Sequence, residues 1–153
     1  MQQLRAVRKQ LADRNDLLDG DAKAEDLIED STDLIDKLDA LEGKLHNPKA
    51  KVTYDIFGPK GGAMLYSQYS SLFQFVKDAD GPPTQGMREV YRDLSAELKK
   101  RTEEVRALTA NELAKLNEEA KKLEYPIVIV PAVKLLNDRE RAKAAAGPVK
   151  RGG

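Results

Sequence analysis

Two adjacent prolines, Pro82 and Pro83, divide this chain more sharply than any other feature. They sit in the stretch DADGPPTQGMREVY, residues 78–91. Neither proline has a backbone N–H, so a helix arriving from the N-terminal side cannot run through them. Asp80 and Gly81 precede them, a pair suited to a left-handed residue that stops a helix. Thr84 follows, a residue type that caps helix starts, with Gln85 at the entry. From Thr84 the apolar spacing is helical through Met87, Val90, Tyr91, Leu94, Leu98, Arg101, Val105 and Leu108, then Leu113, Leu116, Ala120 and Leu123. About 40 residues at 1.5 Å each give a helix about 60 Å long. The step from Leu108 to Leu113 is five residues and breaks the phase. Thr109 and Glu112 stand at capping-box spacing, so a kink or a restart is expected near Thr109.

The segments before the turn read as helices that pack along this one. Residues 1–19 place Leu4, Val7, Leu11 and Leu18 on one side of a helix, with Arg14 on the same stripe. That pattern begins at residue 1 with no capping residue before it, which reads as a helix cut from a longer one. After Gly20-Asp21, residues 22–45 carry Leu27, Ile28, Leu34, Ile35, Leu38, Leu41 and Leu45 as a wide apolar stripe. Carboxylates fill the remaining face, and His46-Asn47-Pro48 ends it. Two helices joined by a short glycine-containing link pack antiparallel. Residues 48–62 read as a loop with an extended centre at 52–57, because Gly58, Pro59, Gly61 and Gly62 oppose a helix. Helical spacing resumes over residues 63–77 with Leu65, Tyr69, Leu72, Phe73 and Val76. The aromatics gathered between Tyr54 and Phe75 point to the bulkiest part of the core there.

Residues 125–131, YPIVIVP, differ in kind. Ile127, Val128, Ile129 and Val130 are four consecutive β-branched residues between prolines, which favours an extended arm. Such a segment needs a covering surface, either this bundle or a neighbouring domain, and so forms a candidate interdomain contact. The fold expected is therefore all-α: an antiparallel three- to four-helix bundle with one long helix and a short extended C-terminal arm. Residues 1–136 form the bundle domain, with a short helix possible in sequence terms over 132–146, and residues 137–153 read as a basic, disordered tail.

Charge and composition narrow the chemistry. The 26 basic and 26 acidic residues balance, so there is no global basic footprint for nucleic acid. Between Asp13 and Glu42 acidic residues outnumber basic ones twelve to three, while residues 137–153 carry five basic and two acidic. Both read first as solvated faces. There are no cysteines, which excludes disulfides and thiolate metal sites. No apolar run approaches the roughly 20 residues that span a bilayer, and the N-terminus lacks the apolar core of a signal peptide. A calcium loop starting at Asp78 would put Glu89 at its twelfth position, but Pro82 and Pro83 occupy the fifth and sixth, where a ligand and a glycine are needed. Residues 58–62, GPKGG, lack the Gly-Lys-Ser/Thr order of a phosphate loop. His46 is the only histidine, at a helix end, and no serine elbow matches it. No catalytic, cofactor-binding or metal-binding residue is assigned, and no cofactor is implied.

Five strings taken together carry a family resemblance: LRAVRKQL at residues 4–11, KVTYDIF at 51–57, GGAMLYSQ at 61–68, FVKDADGPPTQGMREVY at 75–91 and LNEEAKKL at 116–123. They resemble the C-terminal helical region of bacterial sortilin-like, Asp-box β-propeller proteins, commonly labelled glycosyl hydrolases or sialidase-like. The propeller itself is absent from this chain, and the tryptophan its Asp-box repeats need does not occur here. The resemblance implies a non-catalytic C-terminal accessory or docking domain whose partner is its own upstream propeller, in a secreted or periplasmic parent protein. The alternative is a free-standing helical adaptor that self-associates through its long helix.

Overall fold

A computed structural model of the chain describes residues 1–47 and 62–132. The described residues form five α-helices: α1 (Gln2–Leu18), α2 (Glu25–Leu45), α3 (Leu65–Lys77), α4 (Gln85–Ala107) and α5 (Leu113–Lys122), with a π-helical turn, Leu108–Glu112, joining α4 to α5. α4, the π turn and α5 form one continuous rod. No strand occurs among the described residues. The expected extended centre at residues 52–57, the GPKGG loop up to Gly61 and the C-terminal tail lie outside the described residues.

Antiparallel packing is legible from the cross-links. Arg5 pairs with Glu42, Arg8 with Asp39, and Arg14 with Ser31, so α2 descends as α1 rises. Lys44 meets Glu104 at 4.0 Å and Lys37 meets Glu112 at 2.7 Å, which sets α2 antiparallel to the rod as well. These pairs are mostly exposed and fix orientation more than they stabilise. Burial of leucine supplies the stability. Leu4, Val7, Leu11 and Leu18 from α1, Leu27, Leu34, Leu38 and Leu41 from α2, and Leu113, Leu116 and Ala120 from α5 form the principal core, which Val128 of the arm completes. Each fully buried leucine contributes about 1.5–3 kcal/mol.

A second, smaller core lies between α3 and α4. It holds three buried residues, Leu65, Leu72 and Leu94, with Leu45, Tyr69 and Met87 partly buried against them. The expectation of a bulky aromatic core here is overturned. Tyr66 is 57% exposed, Phe73 67% and Phe75 68%. Two helices bury only their facing lines, and α2 meets this core through Leu45 at its C-terminal end. Tyr54 and Phe57 lie outside the described residues.

Local details correct other expectations. α2 starts at Glu25 rather than near residue 22, because Asp21 folds residues 21–24 into a turn: its carboxylate accepts from Lys23 N at 3.0 Å and its carbonyl from Ala24 N at 2.9 Å. α3 ends at Lys77 with Asp78 as an ordinary right-handed cap, and Gly81 does not take the left-handed conformation expected of it. Thr84 does cap α4, accepting from Met87 N at 3.3 Å. Thr109 does not cap. Its hydroxyl turns back to the carbonyls of Val105 and Arg106, and the five-residue step is absorbed by a π turn in which Leu113 N donates to Leu108 O. One extra residue per turn keeps both leucines on the core side.

Candidate docking surface

The α3–α4 hairpin projects past the three-helix core. α1 begins level with Leu98, Arg101 and Val105, since Met1 and Gln3 share a groove wall with them. From Leu98 to Gln85, α4 therefore runs roughly 20 Å further with α3 as its main neighbour. The hairpin is antiparallel, closed by Asp78 to Thr84, and pinned midway: Tyr69 Oη lies 3.1 Å from Ser95 Oγ, and the Tyr69 and Tyr91 rings meet edge to face at 6.4 Å.

Two grooves run along the hairpin. The outer groove, about 340 Å³, is lined by Tyr69, Leu72, Phe73, Val76, Pro83, Met87, Arg88 and Tyr91. Its walls are apolar apart from Arg88. The inner groove, about 420 Å³, lies where the hairpin meets the bundle, with Met1, Gln3, Leu45, Leu65, Tyr66, Leu98, Arg101 and Val105 on its walls. Tyr69 belongs to the walls of both, so the two grooves adjoin at that side chain. Arg101 is the charged member of the inner wall, beside the polar Gln3 and Thr102. Glu97 and Glu104 bracket it, Glu104 at 2.7 Å. The hydrogen bond to Glu104 is the main cause holding the guanidinium above its ordinary value and the Glu104 carboxyl below its own. Arg101 Nε is nevertheless buried without an acceptor.

The turn residues named from the sequence fall at the tip of this hairpin. Asp80, Gly81, Pro82, Pro83, Thr84 and Gln85 are all exposed, Pro83 lines the outer groove and Thr84 caps α4. The arm is placed differently. Val128 is buried in the bundle of this chain, while Ile127, Ile129 and Val130 are exposed at 44%, 63% and 40%. Two side-chain amides hold it as a neighbouring strand would. Gln10 exchanges both hydrogen bonds with Ile129 N and O, at 3.0 and 2.8 Å. Asn117 does the same with Val128, both at 2.8 Å. The arm thus lies between α1 and α5.

No known family model, curated protein or solved structure matches this chain. Among the described residues no group of three or more His, Cys, Asp or Glu is arranged to hold a metal ion. No helix among them is long and apolar enough to cross a membrane. His46 meets the Tyr66 ring at a 50° tilt with ring centroids 5.8 Å apart, beside the C-terminal end of α2.

Sequence reasoning missed the exposed character of Phe73, Phe75 and Tyr91. One signal for it exists. The run Leu72-Phe73-Gln74-Phe75-Val76 wraps more of a helix than one packing line can cover. The amide clamps of Gln10 and Asn117 carried no signal, because a glutamine or asparagine among charged residues reads as surface.

Proposed function

We propose that this chain is a non-catalytic docking domain that offers its α3–α4 hairpin to a partner. The observation that carries this reading is the hairpin's apolar exposure. Tyr66, Phe73, Phe75, Val76, Val90, Tyr91 and Leu98 are each between 36% and 68% exposed on one two-helix unit. Phe73, Val76 and Tyr91 share the outer groove and Tyr66 and Leu98 the inner one; exposed apolar surface grouped in this way is characteristic of interaction sites, and aromatic side chains supply the anchors of such sites.

The sequence resemblance supplies the partner. The most distinctive of the matching strings, residues 75–91, forms the hairpin tip and part of the outer groove. On this reading the chain is the C-terminal accessory domain of a secreted or periplasmic glycosyl-hydrolase-like, sialidase- or sortilin-like β-propeller protein, and the hairpin with the outward side chains of Ile127, Ile129 and Val130 faces the propeller. Calorimetric titration of the chain with a propeller of that class tests it. Binding is expected, and Phe73→Asp is expected to weaken it at least tenfold while leaving helicity unchanged. Equal affinity of the variant sinks the hairpin as the contact, and absence of binding by the native chain sinks the propeller as partner. Turnover of aryl glycosides by the chain alone would remove the non-catalytic reading.

A second reading is favoured by Val90, Tyr91 and Leu98 lying exposed along α4: self-association through the long helix, as a free-standing adaptor. Sedimentation distinguishes it, since a monomer at high protein concentration leaves it without support.

A further inference from the structure

The arm is held as a bound peptide would be. It runs antiparallel to α1, with Pro126 O facing Arg14 at 3.5 Å, Ile129 clamped by Gln10, and Pro131 O accepting from Gln3 Nε2 at 2.8 Å. On the other side Asn117 of α5 holds Val128. All of these bonds go to the main chain of the arm, so they select an extended backbone, and Val128 supplies the side chain that fits. Among residues 126–131 only Val128 is buried. The leucines of α1, α2 and α5 pack on one another, so release of the arm uncovers the core at one point without dismantling it. The link to α5 is a hinge under strain. Glu124 has φ 61°, a left-handed conformation that a residue with a side chain adopts at a cost, and the reversal from α5 into the arm requires it.

We propose that the arm exchanges between copies of this chain: residues 125–131 of one chain lie in the α1–α5 groove of a second, and the reverse. A second copy's arm is the occupant because it is the segment whose fit to Gln10, Asn117 and the core is on view. The groove contacts are identical in the closed monomer and the exchanged dimer, so the hinge and the protein concentration decide between them. The covalent link favours the monomer in dilute solution through high effective concentration. Two features favour exchange as concentration rises. Opening the hinge lets Glu124 leave its left-handed conformation in both chains. The released arm also stays close to its bound shape, because four β-branched residues and the flanking Pro126 and Pro131 restrict it to extended backbone. Little conformational entropy then remains to be lost when it enters the second groove. Exchange is independent of the proposed docking function, since the α3–α4 hairpin takes no part in it.

The test is complementation between full-length variants, read by sedimentation after samples are concentrated, warmed below Tm and cooled. The native chain is expected to give a dimer that persists for a time on dilution, because each arm must leave one groove before it returns to the other. Gln10→Ala with Asn117→Ala weakens the groove and leaves the arm intact. Val128→Asp spoils the arm and leaves the groove intact. Each variant alone is expected to keep its helical circular dichroism signal and lose the dimer. The two warmed together are expected to recover it severalfold, because the sound arm of one fits the sound groove of the other. Glu124→Gly, which adopts positive φ freely, is expected to lower the native dimer fraction about fivefold by removing the strain in the closed hinge. Absence of a native dimer, a dimer that survives in both single variants, no recovery on mixing, or an unchanged dimer fraction in Glu124→Gly overturns the proposal. Phe73→Asp, which is expected to weaken partner binding, is expected to leave the exchanged dimer unchanged, so failure of one reading is told apart from failure of the other.

Discussion

Arg14 is the residue whose position is least expected of its chemistry. It occupies a core position of α1 and is 3% exposed. Its Nη2 donates to Ser31 Oγ at 2.6 Å, and the Ser31 hydroxyl in turn donates to Leu27 O at 2.6 Å. Nε has no acceptor, and no carboxylate pairs with the guanidinium among the described residues. Burial lowers its pKa accordingly. A buried charge without a counter-charge costs several kcal/mol. Arg14→Met keeps the aliphatic bulk and removes that cost, and Ser31 remains bonded to Leu27. The substitution is expected to raise stability by about 1–2 kcal/mol in urea unfolding; a clear destabilisation would show that the bond to Ser31 outweighs desolvation. Tyr125 and Asp21 make a second pair, joined by a hydrogen bond from the phenol. That bond is the main cause lowering the Asp21 carboxyl and raising the Tyr125 phenol. Asp21, depressed, contributes above the ordinary carboxylate value near 4 and loses its contribution as pH falls through its folded value. Tyr125, raised, contributes below the ordinary phenol value near 10 and loses it as pH rises through its folded value. Stability of the arm's first turn should therefore be flat between those limits and fall beyond both. Tyr125→Phe should flatten both edges, measured by the pH dependence of Tm against the native chain.

At the scale of the element, the long rod shows how a sequence irregularity becomes a structural device. Leu108 and Leu113 are five apart, one more than an α-helix allows on a common face. A π turn accommodates the difference without a break, and Lys37 from α2 reaches Glu112 within it. Deleting Ala110 converts the step of five to four and lets a regular helix keep both leucines inward. Deleting Ala96 instead rotates Leu94 and everything before it by about 100° relative to the bundle. The first deletion is expected to change Tm little and the second to lower it strongly. Comparable losses would mean that the π turn itself is required. The rod's far end is closed by a Schellman arrangement, with Tyr125 N donating to Ala120 O at 2.8 Å and Glu124 N to Lys121 O at 3.2 Å. Glu124 there has φ 61°, a conformation that costs a side-chain-bearing residue about 1–2 kcal/mol. The sharp reversal it gives sends the arm back along α1.

The whole molecule is two cores of unequal quality on one shared helix. The principal core joins α1, α2, α5 and the arm. The hairpin core rests on three buried leucines and is largely open to solvent. Local opening free energy follows buried apolar contact, so native-state hydrogen exchange should find amides of α3 and the first half of α4 opening well below the global limit. Amides of α1, α2 and α5 should approach that limit. Uniform protection across both would contradict a two-part molecule. A weakly buried hairpin is also the part best suited to gain stability from a partner, because binding adds the missing third surface.

By itself the sequence determined the elements. Apolar spacing placed the helices to within about three residues, the prolines divided α3 from α4, Thr84 marked the start of the rod, and the step at Leu108 marked its irregularity. These are local properties, set by backbone sterics, capping and side-chain period, and they are legible along the chain. What only the tertiary structure decided is which apolar residues have neighbours. Leu72 and Phe73 are adjacent in sequence and both apolar, yet one is buried and the other faces solvent, because α3 has a partner on one side alone. Val128 and Ile129 divide in the same way, and the amides that clamp them stand more than ten residues away along α5 and more than a hundred away along α1. Burial depends on what the rest of the chain brings alongside, and the candidate docking surface is made of apolar residues beside which the described chain brings nothing.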